Sequence, residues 1–145
     1  MSQGKVYHLE PIFHLLNQRY FAGKIGCKLE WGRVRAVRVR RVRQLGRYER
    51  RANRIVLNRV LDQPDVPVHV VEAVLHHEMC HAAVPPTRQR RRMLYHSPEF
   101  RAKEREYEHY EAARGWIKTS HKILFQPPKN HLLVFNALGF GGLKR

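Results

Sequence analysis

The sequence predicts an α+β fold, because segments with helical spacing flank a region that has the character of β-strands. Residues 7–21 and 66–84 have the apolar content and spacing of helices. Residues 37–40 instead alternate between valine and arginine, with the period of two expected of a half-buried strand. At 145 residues the chain is long enough for a single domain with one modest core.

The first helix is predicted over residues 7–21, YHLEPIFHLLNQRYF. Its apolar side chains recur at helical spacing, so they lie on one face that can be buried. They are Leu9, Ile12, Phe13, Leu16 and Tyr20. Gly23 follows as a plausible end of the helix.

Two strands are predicted next. In residues 33–48, RVRAVRVRRVRQLGRY, Val37 and Val39 alternate with arginines, which predicts a strand with one buried face and one face of guanidinium groups. Gly46 and the polar run at 49–53 indicate a turn. Residues 54–58, RIVLN, then predict a short buried strand.

Two further helices are predicted in the second half of the chain. After the loop 62–67, where Asp65 or a neighbour is expected to cap, residues 66–84 form a largely buried helix that stops before Pro85-Pro86. Residues 87–93, TRQRRRM, are expected to be a basic loop. Ser97-Pro98-Glu99 is a strong helix start, and this helix should run to about Arg114 and end at Gly115.

The remaining residues are assigned to an extension of the same domain. The core is expected to span about 7–115, and residues 116–145 contain two apolar runs around the turn-forming segment QPPKN. These runs are compatible with a β-hairpin, followed by a loose tail at GFGGLKR. The whole chain, 1–145, is therefore interpreted as one domain.

Composition limits the classes of function. There is no apolar run of the length needed to cross a membrane and no apolar core of a secretory signal, and the two cysteines are too few for a disulfide framework or a four-cysteine zinc ribbon. A cytoplasmic protein is expected, nucleoid-associated in a prokaryote. The formal net charge of +16 predicts a polyanionic partner, nucleic acid above all. The alternative is a surface tuned for solubility or for a high-salt host.

The segment HHEMCHAAVPP, residues 76–86, carries the chemistry. His77 and His81 are four residues apart, so on a helix both imidazoles face one metal ion. Glu78 lies beside that metal without ligating it, and is placed to act as a general base. This is the H-E-x-x-H arrangement of zinc hydrolases.

A catalytic zinc needs a third protein ligand, and the sequence leaves alternatives. Val84 and Thr87 exclude the metzincin pattern, and His96 is the next histidine along the chain. Glu99 is the alternative third ligand.

A competing site would be structural rather than catalytic. It would use His76 and Cys80, also four residues apart, together with Cys27 and another histidine. In the preferred interpretation His76 faces solvent or an outer hydrogen-bond acceptor, and Cys80 is a small buried apolar residue.

Taken together, these segments resemble the SprT-like metalloprotease domain, the family of the DNA–protein crosslink protease Spartan. The resemblance rests on HHEMCHAAVPP followed by YHSPEFR, on IFHLLNQRYFAGKIGCKLEWGR and on LGRYERRANRIVLN, and covers roughly residues 9–110. It implies a minimal zincin with one zinc per chain, in which His77, His81 and His96 match the zinc ligands and Glu78 the catalytic base. Ser97 stands where the family often has glycine. The zinc ribbon and the partner-binding segments of some relatives are not evident here.

The resemblance and the charge together predict a DNA-stimulated zinc endopeptidase that acts on proteins held at DNA. The DNA is expected to be single-stranded or irregular and bound without sequence preference. Tyr95 is a candidate oxyanion donor, although packing against the helix is its preferred role. Trp31, Tyr48 or Trp116 could stack on unpaired bases, although core packing is the preferred role of each. The arginines expected to contact nucleic acid are Arg38, Arg40, Arg41, Arg43, Arg88, Arg90, Arg91 and Arg92.

Two alternative functions stay open. The YgjP-like metal-dependent hydrolases share H-E-x-x-H followed by His-x-x-x-Phe, and in that case the arginines would bind a nucleotide triphosphate. In the other alternative the chain is a nucleic-acid-binding module whose zinc is structural.

Overall fold

A computed structural model describes residues 1–33 and 44–124 of the chain, without the side chains of 121–123. Within this part the fold is α+β, as predicted, with helices packed around a small mixed sheet and a separate hairpin. The elements are α1 (Leu9–Phe21), β1 (Lys28–Trp31), β2 (Gly46–Glu49), β3 (Arg54–Leu57), a 3-10 turn (Arg59–Leu61), α2 (Val68–Ala83), β4 (Thr87–Gln89), β5 (Arg92–Leu94), α3 (Pro98–Glu104) and α4 (Tyr110–Leu124).

Helix α1 forms nearly as predicted. Leu9, Phe13 and Leu16 are buried on one face. The chain leaves the helix through residues with positive φ, 52° at Ala22 and 72° at Gly23, which is the conformation that glycine adopts without strain. Asn17 fixes the loop beyond, because its side chain donates to the carbonyl of Ile25 at 2.8 Å and accepts from the Ile25 amide at 3.0 Å.

The three-stranded sheet has the order β1-β3-β2, with β1 parallel and β2 antiparallel to the central β3. The outer edge of β1 is contacted by the N-terminal segment, where the Trp31 amide donates to the Met1 carbonyl at 3.0 Å. Within the part of the chain that is described, β2 is therefore the edge strand without a second partner.

Two expectations for this sheet need correction. Gly46 was expected in a turn but lies inside β2, paired with Leu57, because its lack of a side chain lets the strand approach α2 closely. Strand β1 was not predicted at all, since its four residues are too few to show a period. The predicted buried strand at 54–58 is confirmed as β3. The arginine-rich strand predicted at 37–40 lies outside the described residues.

Helix α2 is the central element of the domain and packs against α1, α3, α4, β2 and β3. Its buried residues include Val70, Val74, Leu75 and Met79. The helix ends at Ala83 because a residue that precedes proline disfavours the helical conformation, and Val84 is extended (φ −118°, ψ 97°). The predicted Asp65 cap is wrong: Pro67 occupies the cap position, and no side chain caps this helix.

The region after α2 differs from the prediction in two ways. The expected basic loop at 87–93 is the antiparallel hairpin β4–β5, with Arg90 at its turn in the left-handed region (φ 57°). The single helix expected from Ser97 to Arg114 is divided into α3 and α4. Ser97 caps α3 as predicted, since its Oγ accepts from the Phe100 amide at 3.2 Å.

The break between α3 and α4 has a visible cause. The buried Tyr107 lies in the break and donates from its hydroxyl to Glu72 Oε1 on α2 at 2.6 Å. Gly115, the expected helix end, lies inside α4, because a glycine costs only about 1 kcal/mol in a helix and packing outweighs that cost. Residues 116–124 of the region expected to form a C-terminal β-hairpin are helical, and residues 125–145 lie outside the described part of the chain.

No helix in residues 1–33 or 44–124 is both long enough and apolar enough to span a membrane.

Candidate metal centre

The three histidines predicted to share a metal lie together in the structure. His77 and His81 are one turn apart on α2, with ring centroids separated by 4.9 Å. His96 comes from the end of the β4–β5 hairpin, immediately before the cap of α3, and its ring lies 4.9 Å from that of His81. One nitrogen from each ring falls within a cluster whose members are all within 4.8 Å of one another.

The spacing and the chemistry of these donors suit a zinc ion. Two imidazole nitrogens that are each about 2.0–2.1 Å from a tetrahedral zinc lie about 3.3–3.4 Å apart. Nε2 of His81 and Nε2 of His96 are separated by 3.2 Å. The cluster is thus able to hold a metal ion, and three imidazoles with an open fourth position are a known catalytic zinc set.

The electrostatics favour neutral rings, which is the form that ligates metal. Burial, together with the neighbouring His77 and His96, lowers the pKa of His81 to about 4. Burial also lowers the pKa of His96. Near neutral pH these imidazoles therefore offer lone pairs rather than protons.

His77 is held from behind by Glu104, a residue that the sequence interpretation missed. Nδ1 of His77 donates to Oε2 of Glu104 at 2.5 Å, which leaves Nε2 for a metal. Burial alone would raise the pKa of Glu104, but the hydrogen bonds from His77 and Arg101 outweigh it and lower the pKa. The sequence offers only a weak indication that Glu104 contacts His77. Glu104 is eight residues beyond His96, and only the fold brings it close to α2.

Phe100 forms the floor of the cluster. It is fully buried, and its ring centroid lies 5.1, 4.5 and 4.8 Å from the rings of His77, His81 and His96. One aromatic ring thus packs against all three imidazoles. Their side-chain positions therefore depend on the apolar core as well as on polar contacts.

Glu78 follows His77 on α2, and its side chain points toward β2. It is 5% exposed, and burial raises the pKa of its carboxyl to about 7. No hydrogen bond to its carboxylate is formed by any residue in the described part of the chain. A Cβ added to Gly46 would come within 3.1 Å of Glu78 Oε1, so the edge strand passes directly beside this carboxylate.

The expectation for His76 is wrong, whereas that for Cys80 is confirmed. His76 does not face solvent: it is 1% exposed and packed among the rings of Tyr20, Phe21 and Tyr107. Cys80 is fully buried, with its Sγ 3.7 Å from His76 Nδ1.

The competing structural site is not found. Within residues 1–33 and 44–124, no metal-binding group of three or more ligands includes His76, Cys80 or Cys27. Glu99, the alternative third ligand, is exposed and outside the cluster.

The remaining predicted residues lie near the cluster, in the core or outside the described part of the chain. Tyr95 is exposed beside His96, and its role as an oxyanion donor stays a prediction. Trp31 is buried and donates from Nε1 to the Tyr7 carbonyl at 3.2 Å, so it is a core residue rather than a base-stacking one. The hairpin arginines, all exposed, are Arg88, Arg90, Arg91 and Arg92. Arg38, Arg40, Arg41 and Arg43 lie outside the described residues.

The chain matches a known protein family. The model of the SprT-like family matches residues 9–121, which includes the three histidines, Glu78 and Glu104. No curated protein and no solved structure shows a significant match to this chain.

Proposed function

The chain belongs to the SprT-like family, and from this premise we propose that it is a zinc-dependent endopeptidase, stimulated by DNA, that cleaves proteins bound or crosslinked to DNA. The observation that carries the proposal is the cluster of His77, His81 and His96 beside the buried carboxylate of Glu78. A hydrolytic metal site of this type uses three protein ligands and a nearby general base.

Holding the metal is the first task of the chain. His77, His81 and His96 would bind one zinc ion, with Glu104 fixing the tautomer and the orientation of the His77 ring. The zinc ion, when bound, would supply Lewis-acid chemistry that polarises a peptide carbonyl and acidifies water. The ring of Phe100 packs against all three imidazoles and would help to hold them in place around the metal.

Proton transfer is assigned to Glu78. Its carboxylate would accept the proton that the attacking water loses and would deliver it to the nitrogen of the departing amine. This role is supported by its burial and by the absence of a competing hydrogen-bond donor within the described residues. A carboxylate that is not held by a donor is free to exchange a proton with substrate.

Substrate alignment is assigned to the outer edge of β2, which has no strand partner among residues 1–33 and 44–124. An extended peptide can add to an exposed strand through backbone hydrogen bonds. Strand β2 passes beside Glu78 at Gly46, which supports an orientation that brings a scissile bond to the metal cluster. Backbone recognition of this kind reads little of the substrate's sequence, as expected for a protease that meets many proteins at DNA.

Nucleic-acid binding is assigned to the arginine-rich surface. The four arginines of the β4–β5 hairpin are exposed and form no ion pair with other described residues. The hairpin leads directly into His96, so a phosphate backbone bound there would lie next to the metal cluster. With a net charge of +16, such contacts would give affinity without sequence preference.

One assay tests the proposal against both alternatives. Zinc-loaded protein is incubated with a DNA-binding protein crosslinked to an oligonucleotide, with or without added single-stranded DNA, and in parallel with nucleoside triphosphates. We expect peptide fragments, more of them when DNA is added, and none from Glu78→Gln. Release of phosphate or pyrophosphate without proteolysis would favour a nucleotide hydrolase. Zinc binding without turnover would favour a structural metal.

A further inference from the structure

The last turn of α2, which carries His81, is held by a side chain from the sheet. Arg50, in the turn between β2 and β3, donates from Nη2 to the backbone carbonyl of His81 at 2.7 Å. Its guanidinium also stacks over the ring of Tyr48, 5.2 Å from the ring centroid. Arg50 therefore joins the turn of the sheet to the end of the helix.

The sequence explains why this carbonyl needs an external donor. In a helix the carbonyl of residue i accepts from the amide of residue i+4. For His81 that residue is Pro85, which has no N–H. The carbonyl before it is satisfied within the chain, because the Val84 amide donates to the Cys80 carbonyl at 2.8 Å. His81 thus has the first carbonyl that the proline leaves without a helical donor.

We propose that Arg50 is a positioning residue for the metal site: by bonding the His81 carbonyl, it keeps the last turn of α2 helical when no metal is bound. This inference rests on the metal site of the proposed function. Helix ends fray when their terminal groups lack partners. If this turn frayed in the metal-free protein, zinc binding would have to restore its helical structure. The free energy of zinc binding would be less favourable by the cost of that ordering. Metal affinity would then fall and metal release would accelerate.

The test compares Arg50→Met, which removes the donor, with Arg50→Lys, which keeps a charged donor. Zinc affinity is measured by competition with a chromogenic chelator, and amide hydrogen exchange is measured over residues 81–84 of the metal-free protein. We expect Arg50→Met to weaken zinc binding about tenfold, the lower end of the range for residues that support metal ligands. It should also speed exchange in this turn. Arg50→Lys should recover most of both losses.

Arg51→Met is the matched control, because it makes the same substitution at the neighbouring residue. The Arg51 side chain is exposed and forms no hydrogen bond or ion pair with other described residues. It should bind zinc as the wild type does. Equal losses in Arg50→Met and Arg51→Met would overturn the inference, as would unchanged affinity and exchange in Arg50→Met. If Arg50→Met does not fold, Arg50→Gln, whose side chain is shorter, replaces it in the same measurements.

The outcomes for the inference and for the proposed function are separable. A wild-type protein that binds zinc but cleaves no peptide would overturn the protease proposal and leave the role of Arg50 to be judged from the zinc and exchange data. A wild-type protein that binds no zinc would overturn both.

Discussion

Nδ1 of His77 lies 2.5 Å from Oε2 of Glu104, and this contact joins the predicted metal helix α2 to the end of α3. Glu104 is 8% exposed and is also bonded by Arg101 through its other oxygen at 3.2 Å. Because the carboxylate can only accept, the hydrogen must be on Nδ1, and the lone pair of His77 is on Nε2. The contact thus fixes both the tautomer and the plane of one metal ligand.

Replacing Glu104 should weaken metal binding. In Glu104→Ala the ring of His77 loses the acceptor that fixes its orientation, so we expect zinc affinity to fall by about 10- to 100-fold. Glu104→Gln keeps an acceptor oxygen without the charge. Its zinc affinity should lie between those of the wild type and Glu104→Ala. Competition with a chromogenic chelator measures the affinities.

Glu99→Gln is the control for this prediction. Glu99 also lies on α3 but is exposed and outside the histidine cluster. Its replacement should leave zinc affinity unchanged. A loss of zinc in Glu99→Gln, with normal binding in Glu104→Ala, would mean that the third ligand had been misassigned.

The metal ligands were predictable from the sequence because their relationship is local. His77 and His81 depend only on helical spacing, and the end of α2 depends only on Pro85. His96 required one assumption, that the chain folds back after the helix, and the family resemblance agreed with that choice.

Contacts between distant segments were not predictable. Glu104 meets His77 across 27 residues, and β1 pairs in parallel with β3 at Lys28 and Arg54. Neither relation leaves a periodic pattern in the sequence. The break after Glu104 was missed for the same reason, since it depends on the bond between Tyr107 and Glu72 on another helix.

Phe100 should contribute strongly to stability because it is fully buried beneath the three histidine rings. Phe100→Ala leaves a cavity, and we expect the free energy of unfolding to fall by about 3–5 kcal/mol. Urea denaturation of the metal-free protein, monitored by circular dichroism, measures this loss apart from zinc binding. Leu15→Ala, at a side chain that is 60% exposed on α1, should change stability by less than about 0.5 kcal/mol. Similar losses in the two variants would contradict the assigned packing.

Asp62 anchors the N-terminal segment, and its removal should destabilise the fold. Its carboxylate accepts from the backbone amides of Lys5, Val6 and Tyr7 at 2.7, 2.9 and 2.9 Å, and its side chain is 1% exposed. In Asp62→Asn an amide group replaces one acceptor and faces these donors. We expect a loss of about 1.5–3 kcal/mol at pH 7, measured by urea denaturation.

The same variant should reveal a pH dependence. Burial would raise the pKa of Asp62, but the backbone hydrogen bonds and Arg59 outweigh it and hold the pKa below its ordinary value. A group whose pKa is lowered on folding contributes stability above its unfolded pKa of about 3.9, and this is lost as the pH falls through the folded pKa. The difference between the wild type and Asp62→Asn should therefore be constant from pH 7 to about 5 and shrink below about 4. A difference that grows in acid would contradict the role of Asp62.

The β4–β5 hairpin should carry a measurable share of DNA binding. Replacing its four exposed arginines, Arg88, Arg90, Arg91 and Arg92, with glutamine should weaken binding to single-stranded DNA and leave zinc content unchanged. Each phosphate contact contributes about 0.7 to the slope of log affinity against log salt, so the slope should become shallower by up to about 3. Fluorescence anisotropy across a salt series measures this slope.

A matched pair of single variants provides the control. Arg90→Gln should weaken DNA binding more than Arg19→Gln, because Arg19 is already paired with Glu108 at 2.8 Å. An unchanged slope in the four-site variant would place the DNA surface elsewhere on the chain.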